Sequence, residues 1–193
     1  MRQNRVSRRQ FLRRAAVLSA VPSIFPGRVL GLDGNTAPSD RITVGFVGTG
    51  GHGIGRNLKG FLRQPDAQAV AVCDVDRGRR LKAKQLVEKH YADAQAKGAY
   101  KGCDDYNDFR EVIARDDIDA IMNSTPDHWH TIPSLMAVRA GKDVICEKPL
   151  TLTVEEGRVL ADAVAKHERV FQTASENRSD KNYLRMCELV RNG

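Results

Sequence analysis

Apolar residues along this chain alternate between short continuous runs and longer stretches with helical spacing. The continuous runs cover residues 42–47, 67–73, 118–123, 143–146 and 170–173. Continuous apolar runs of this length are typical of strands that are buried on both faces of a parallel sheet. The pattern therefore predicts five buried parallel strands.

The stretches between these runs are amphipathic and predict helices at 54–63, 77–97, 108–114, 131–140, 154–167 and 181–192. The clearest helix start is the pair Thr153 and Glu156, which has the spacing of a capping box. Strands and helices that alternate in this way form βαβ units with right-handed crossovers. The predicted fold class is therefore α/β, a doubly wound parallel sheet of the Rossmann type.

A glycine-rich loop lies between the first predicted strand and the first predicted helix. Gly48, Gly50 and Gly53 fit the pattern G-x-G-x-x-G, with Thr49 inside it. In this context the first glycine allows a tight turn, the second lets the backbone approach a pyrophosphate, and the third lets helix and strand pack closely. The anion then lies at the N-terminus of the helix. A purely structural turn is the alternative for the string alone, but its context predicts dinucleotide binding by these four residues.

An acidic residue follows the second predicted strand at the spacing that a dinucleotide site requires. Asp74 lies 21 residues beyond Gly53, where a carboxylate can accept hydrogen bonds from a ribose diol. Alternatively, Asp74 caps the next helix. A carboxylate here repels a 2′-phosphate, so NAD is the predicted cofactor. NADP is the alternative, because three arginines at 77, 79 and 80 could offset that repulsion.

The positive charge of the chain is concentrated at its N-terminus. The 193 residues carry a net charge of +7, of which the first 36 contribute +6 and the remainder only +1. A nearly neutral body excludes a nucleic acid as partner, because phosphate binding needs a basic surface. No other apolar run approaches the roughly 20 residues of a bilayer-spanning helix, so no stable membrane span is expected.

The basic N-terminal segment has the pattern of an export signal. Arg8 and Arg9 precede a mostly apolar, uncharged stretch at 15–26, which resembles a twin-arginine signal. We predict a signal peptide and linker at 1–36 and a periplasmic or otherwise exported protein. The alternative is a basic amphipathic helix on a membrane surface or a partner, which Pro22 and Pro26 would interrupt.

The cysteines give no indication of a metal site. Their four positions, 73, 103, 146 and 187, contain no C-x-x-C spacing. Neither a zinc site nor a disulfide framework is therefore indicated, and we predict no metal.

Three further strings point to a family: TPDHWH at 125–130, EKP at 147–149 and DYNDFR at 105–110. Together with the glycine loop, they resemble the glucose-fructose oxidoreductase, inositol dehydrogenase and MocA family over residues 41–193. The resemblance implies an NAD(P)-binding Rossmann domain at 41–175 and, at 176–193, the start of a C-terminal α/β domain that is missing here. That second domain usually supplies the general-base histidine and the surface of a homo-oligomer.

The resemblance also implies roles for residues in these strings. Thr125 and Pro126 are expected to lie against the dinucleotide, as is His130. Glu147 is expected to contact the nicotinamide ribose, and Lys148 to touch the cofactor and reach the reacting hydroxyl as the catalytic residue. Both turns follow predicted strands at their carboxyl ends, where doubly wound sheets bind ligands. A cation there can stabilise an alkoxide or relay its proton.

Alternatives to these roles stay open at this stage. Glu147 and Lys148 could form a surface ion pair. Trp129 could line the nicotinamide side or serve as a packing anchor. The loop histidine His52 is assigned no role.

The resemblance implies hydride transfer between a nicotinamide cofactor and a sugar, cyclitol or related polyol. A second hypothesis is a glycoside hydrolase that uses bound NAD for transient oxidation, which is a known exception to hydrolysis by paired carboxylates. A third is a nucleotide-binding protein without activity. Without a second substrate wall, we expect the 193-residue chain alone not to turn over a substrate.

Overall fold

A computed structural model describes Ala37 and residues 40–193 of the chain. The predicted export signal and linker at 1–36 lie outside the described residues. Within the described part, no helix is both long and apolar enough to cross a membrane.

Six parallel strands form one sheet at the centre of the fold. The strands are β1 (Ile42–Val47), β2 (Ala67–Cys73), β3 (Asp104–Tyr106), β4 (Ala120–Asn123), β5 (Asp143–Cys146) and β6 (Phe171–Thr173). Their order across the sheet is β3-β2-β1-β4-β5-β6. The order reverses between β1 and β4, which is where doubly wound sheets bind dinucleotides. The predicted Rossmann-type fold is confirmed.

Helices connect the strands and cover both faces of the sheet. The first, α1, begins as a π-helical segment (Gly53–Leu58) and continues as an α-helix (Lys59–Phe61). The others are α2 (Arg77–His90), α3 (Ala92–Ala96), α4 (Phe109–Ile113), α5 (Thr131–Arg139), α6 (Val154–His167) and α7 (Lys181–Asn192). Short 3₁₀ turns lie at Asp127–Trp129 and Glu176–Ser179. The capping box predicted at Thr153 and Glu156 is present at the start of α6.

The edge strand β3 was not predicted from the apolar pattern. It is three residues long, contains two aspartates, and pairs with no strand of the described residues other than β2. Asp105 is held by Arg80 at 2.9 Å and Lys84 at 3.0 Å, both on α2. Hydrophobic periodicity identifies strands by burial, so a short, charged strand fixed by ion pairs escapes it.

The helix predicted at 77–97 is divided into α2 and α3 at Tyr91. The Tyr91 ring packs on Tyr100 with centroids 4.5 Å apart. The buried Tyr100 hydroxyl donates to the carbonyl oxygen of Ala69 on β2 at 2.7 Å. Packing of two aromatic rings against the sheet thus overrides the helical propensity of this stretch.

The middle of the sheet forms the core and makes the site rigid. Val44, Ile121 and Val144 on the three central strands are at most 2% exposed, and Leu58 of α1 and Val87 of α2 are fully buried in the same hydrophobic core. Fully burying a side chain of this size contributes about 1.5–3 kcal/mol. The carboxyl ends of β1, β4 and β5 are therefore held at fixed relative positions, and the loops that follow them start from a rigid edge.

Candidate functional site

A cleft of about 640 Å³ opens at the carboxyl edge of the sheet. The glycine loop after β1 forms one wall, and the turn after β4 forms the wall opposite. Loops after β2 and β3 close one end. Residues that line it include Gly50, His52, Asp74, Val75, Phe109, Thr125, Pro126 and Trp129. The cleft lies at the switch point of the sheet, where the sequence predicted a dinucleotide.

Gly48 and Gly53 have the structural roles that the motif predicts. Gly48 has a φ of +88°, and a Cβ there would lie 2.5 Å from the carbonyl group of Ser124. A Cβ on Gly53 would overlap the carbonyl oxygen of Gly48. Both positions therefore exclude a side chain, the first because of conformation and contact, the second because of contact alone.

Gly50 differs from the other two glycines because its missing side chain leaves open space. The nearest atom to a Cβ placed there is an Arg79 guanidinium nitrogen, 3.9 Å away. The helix starts directly behind it, with the Ile54 N–H donating to the Gly50 carbonyl at 2.9 Å and no acidic residue in its first turn. This open backbone fits a pyrophosphate, which needs close approach and the positive end of a helix.

Asp74 fixes the glycine loop from the end of β2. One carboxylate oxygen accepts from the Thr49 N–H at 2.8 Å and from its hydroxyl at 3.3 Å, and the other accepts from the Asp76 N–H at 2.9 Å. The cap of α2 is Asp76, which accepts from the Arg79 N–H at 3.0 Å, so the capping alternative for Asp74 is wrong. A carboxylate has about four lone-pair sites, and the cleft-lining Asp74 retains capacity for a ligand.

The Thr49 side chain is buried rather than open to the cleft. Its exposure is 1%, and both its N–H and its hydroxyl donate to Asp74. Thr49 therefore stabilises the conformation of the glycine loop through its hydrogen bonds to Asp74.

Glu147, predicted to contact the nicotinamide ribose, is 5% exposed. One oxygen accepts from the Asn57 amide and faces His52 Nε2, each at 2.9 Å, and the other accepts from the Lys148 N–H at 3.3 Å. Burial alone raises the pKa of this carboxyl, but the hydrogen bonds from Asn57 and Lys148, with His52 opposite, outweigh it and lower the pKa. Glu147 is therefore ionised and joins the turn after β5 to α1.

His52, Asn57 and Glu176 belong to the site but were not predicted to be part of it. Asn57 also donates to the Ser124 hydroxyl at 2.8 Å, so it joins both turns to α1. It lies one helical turn after Gly53, and this spacing was the signal that could have revealed it. His52 has no such signal, because its partner Glu147 lies 95 residues away.

Three potential metal ligands meet here: His52, Glu147 and Glu176 have ligand atoms within 4.8 Å of one another. However, Arg56 binds Glu176 at 2.7 Å, and Asn57 donates to Glu147. Because both carboxylates already have partners within the protein, we assign no metal to the group.

Lys148 is exposed at the turn after β5, and within residues 40–193 its ammonium forms no ion pair with Glu147. The surface ion pair considered as an alternative is therefore absent from the described part of the chain. The Lys148 ammonium therefore remains available to bind a ligand.

His130, which the resemblance predicts to lie against the dinucleotide, is buried. Its ring is 1% exposed, with Nδ1 facing the Pro149 carbonyl at 2.5 Å and Nε2 facing the Thr125 carbonyl at 2.8 Å. Both nitrogens face backbone oxygens, and a contact between His130 and the cofactor remains a prediction. The side chain is buried between two turns.

Trp129 is 40% exposed and leans toward the β3 side of the cleft. Its ring centroid lies 6.2 Å from that of Phe109, in an edge-on arrangement. The Trp129 ring therefore lines the cleft beside the first residue of α4.

Comparison with known proteins decides the family. Residues 42–175 match the model of the GFO_IDH_MocA oxidoreductase family, described as having an NAD-binding Rossmann fold. The chain belongs to this family. The resemblance seen in the sequence is thereby confirmed.

Similar proteins of known name include two called glycosyl hydrolase family 109 protein. The one from Shewanella pealeana is 28% identical over 154 residues, which cover 80% of this chain and 33% of the relative. The one from Saccharopolyspora erythraea is 32% identical over 154 residues, covering 80% and 32%. The chain thus spans about a third of the length of these relatives.

Two solved structures of inositol dehydrogenases are also similar. Myo-inositol 2-dehydrogenase from Lactobacillus plantarum is 25% identical with a TM-score of 0.66. Scyllo-inositol dehydrogenase from Lactobacillus casei, with bound NAD(H) and scyllo-inositol, is 25% identical with a TM-score of 0.65. Each match covers 79% of this chain and 42% of the other. The shared part is their N-terminal Rossmann fold.

Proposed function

We propose that this chain binds NAD in the cleft and is the cofactor-binding part of an enzyme that transfers a hydride to or from a sugar, cyclitol or related polyol. The observation that carries the proposal is the open backbone at Gly50, which lies between the start of α1 and the carboxylate of Asp74. The similar scyllo-inositol dehydrogenase, which binds NAD(H) and a cyclitol, supports both the cofactor and the substrate class.

Each part of the site has a task in this proposal. The glycine loop holds the pyrophosphate, and Asp74 accepts hydrogen bonds from a ribose. The turn that contains Thr125 and Pro126 lies against Gly48 and forms the opposite wall. Bound NAD supplies the hydride acceptor. Lys148 then stabilises the alkoxide that forms on the substrate or relays its proton.

Calorimetric titration with NAD and NADH tests the proposed cofactor. We expect one site per chain, and Asp74→Asn should weaken binding about tenfold, or about 1.4 kcal/mol, because both the ribose contact and the loop support are reduced. Asp93→Asn, at an exposed position on α3, is the matched control and should bind like the parent chain. Absence of binding by the parent chain would refute the proposal.

We propose NAD rather than NADP as the preferred cofactor, because the Asp74 carboxylate repels a 2′-phosphate. A second cleft of about 650 Å³ beside the glycine loop favours the alternative, because Lys59, Arg79, Lys82 and Lys89 line it. Titration with both cofactors should show tighter binding of NAD, and Arg79→Ala should preserve that order. If the parent chain binds NADP more tightly than NAD and Arg79→Ala loses this preference, NADP is the preferred cofactor and Arg79 recognises it.

A second candidate function is NAD-dependent glycoside hydrolysis, which the names of the glycosyl hydrolase family 109 relatives favour. The two activities differ in their redox balance. A hydrolase that oxidises its substrate transiently regenerates NAD in each cycle, whereas a dehydrogenase that oxidises a polyol accumulates NADH. The whole protein should be assayed for NADH formation with polyols and for cleavage of glycosides. Net NADH formation from a polyol supports the dehydrogenase, and glycoside cleavage without net reduction supports the hydrolase.

We also propose export by the twin-arginine route, on the basis of Arg8 and Arg9 in the segment outside the described residues. Replacing both by lysine should retain the protein in the cytoplasm, as measured by cell fractionation. Replacement of Arg13 and Arg14 by lysine changes the same number of residues and should leave export intact. Equal export of the two variants would argue against this route.

A further inference from the structure

We propose that His130 is a positioning residue that fixes the turn bearing Lys148 and thereby sets the place of the nicotinamide half of the cofactor. The inference rests on the proposed function, because it concerns how the same cleft holds its ligand. It concerns a side chain that is 1% exposed and whose two ring nitrogens face backbone carbonyls.

The ring of His130 joins two turns through their backbone. Its Nε2 faces the carbonyl of Thr125 in the turn after β4, and its Nδ1 faces the carbonyl of Pro149 in the turn after β5. Carbonyl oxygens only accept hydrogen bonds, so each contact needs an N–H on the ring. A neutral imidazole has one N–H and satisfies one carbonyl, whereas an imidazolium satisfies both.

The turn after β4 is held in place by contacts other than those of the His130 ring. Asn123 is fully buried and donates to the His130 carbonyl and to the Ser134 hydroxyl, both at 2.9 Å. Its side-chain oxygen accepts from the Thr125 hydroxyl at 2.7 Å and N–H at 3.2 Å. His130 and Thr125 are therefore held in place by Asn123 whether or not the ring bonds are made.

The turn after β5 is anchored at Glu147 by Asn57, but its continuation through Lys148 and Pro149 depends more strongly on the ring. Lys148 and Pro149 are exposed, and the hydrogen bond from the Lys148 N–H to Glu147 is long, at 3.3 Å. The contact with His130 gives this turn a buried anchor. Because Lys148 directly precedes Pro149, a shift of the anchored carbonyl moves the ammonium as well. A displacement of about 1 Å in a reacting site can cost about 100-fold in rate.

The adenosine half of the site has separate supports. Asp74 holds the glycine loop through Thr49, and neither residue contacts the His130 ring. Loss of the ring contacts should therefore weaken the binding of ligands that carry nicotinamide and spare ligands that lack it. A general loss of stability would instead affect both kinds of ligand equally.

Two substitutions separate the two ring contacts. The amide nitrogen of asparagine can occupy the position of Nδ1, so His130→Asn retains a donor to Pro149. The longer side chain in His130→Gln places its donor near Nε2 and retains the bond to Thr125. We expect His130→Gln to weaken NADH binding about tenfold or more, with ADP-ribose binding changed less than about twofold, and His130→Asn to bind NADH within about threefold of the parent chain.

The outcomes distinguish this inference from the function on which it rests. If the parent chain binds neither NADH nor ADP-ribose, the proposed function fails. If the parent binds both and His130→Gln loses both equally, or loses neither, the positioning role is wrong. If His130→Asn loses NADH binding and His130→Gln retains it, the contact with Thr125 in the turn after β4 matters for binding and the contact with Pro149 does not. This result would also overturn the inference.

A measurement on the unmodified chain covers the case in which the variants do not fold. His130 is the only buried histidine among the five of the sequence, all of which are described. A slowly exchanging imidazole N–H in the NMR spectrum is therefore its own. We expect NADH to shift this resonance and ADP-ribose to leave it nearly unchanged. Equal shifts with both ligands would contradict the inference.

Discussion

The glycine loop after β1 and the two turns after β4 and β5 lie at the same edge of the sheet but are fixed by different means. The loop owes its shape to missing side chains, since Gly48 and Gly53 have no room for a Cβ. The turns owe theirs to buried polar side chains, above all Asn123 and His130. One region is defined by local backbone geometry, and the other by hydrogen bonds between residues far apart in the sequence.

This difference determines how each region should respond to change. A side chain added to the loop meets backbone, which cannot move aside without disturbing β4. A polar group removed from the turns leaves its partners unsatisfied in the interior, and each such group costs about 1–3 kcal/mol. The variants below test these two kinds of support, from the largest expected effect to the smallest.

Gly48→Val should have the largest effect. The residue has a φ of +88°, and its Cβ would lie 2.5 Å from the backbone of Ser124. Backbone strain and overpacking each cost about 1–3 kcal/mol, so we expect the free energy of unfolding in urea to fall by about 4 kcal/mol and NAD binding to be lost. The control Gly55→Ala has open space around its Cβ and should be as stable as the parent or slightly more so. Equal stability of both variants would mean that the loop is not sterically fixed.

Asn123→Leu should be next, because it keeps the branching and the number of heavy atoms in the side chain and removes the polar network. The Thr125 N–H and the His130 carbonyl would lose their partners in the interior. We expect a loss of about 3 kcal/mol in the free energy of unfolding. Ser134→Ala removes only one acceptor of the Asn123 amide and should cost about 1 kcal/mol. If the polar network around Asn123 stabilises the fold, Asn123→Leu should lose more free energy of unfolding than Ser134→Ala. A larger loss in Ser134→Ala would contradict this prediction.

Glu147→Gln should reduce stability in a pH-dependent way. The folded pKa of Glu147 lies below its ordinary value of 4.5, so its carboxylate stabilises the fold above that pH. The stabilisation is lost as the pH falls through the lowered value. We expect the variant to lose about 1–2 kcal/mol at pH 7 and to show a weaker decline of stability in acid.

Urea unfolding of parent and variant at neutral and acidic pH provides the measurement. Glu155→Gln, at an exposed position in the first turn of α6, is the matched control and should follow the parent curve closely. If Glu147→Gln declines with pH as steeply as the parent, the buried carboxylate does not make this contribution.

Glu176→Gln should have the smallest effect. Its partner Arg56 is 55% exposed and Glu176 itself 32%, so the 2.7 Å ion pair is largely solvated. Exposed pairs contribute about 0–1 kcal/mol, and we expect a loss of less than about 0.5 kcal/mol that vanishes in high salt. A larger loss would show that Glu176 supports His52 and the polar network around Glu147.

Much of the fold and half of the site could be predicted from the sequence. The five apolar runs correspond to β1, β2, β4, β5 and β6, because burial on both faces leaves a continuous apolar pattern. The acidic edge strand β3 has no such pattern and was missed. In the site, the glycines and Asp74 could be predicted because a single motif with fixed spacing contains them.

The remaining site residues depend on contacts that spacing does not encode. His52 and Asn57 meet Glu147 across 95 and 90 residues, and only the crossover from β1 to β4 and β5 brings them together. His130 belongs to a string that resembles the family, yet whether its ring faces the cleft or the interior depends on the two carbonyls beside it.

The sequence by itself determined the alternation of helices with the five apolar strands, the glycine loop and the carboxylate after β2, because each is a local pattern of burial, backbone freedom or charge. Only the tertiary structure decided which polar side chains meet. Asn123, His130 and Glu147 are buried because three strands end side by side, and their hydrogen-bond partners lie on loops that the chain reaches after separate crossovers. Backbone conformation is set over a few neighbouring residues, whereas the environment of a buried polar group is set by everything packed around it.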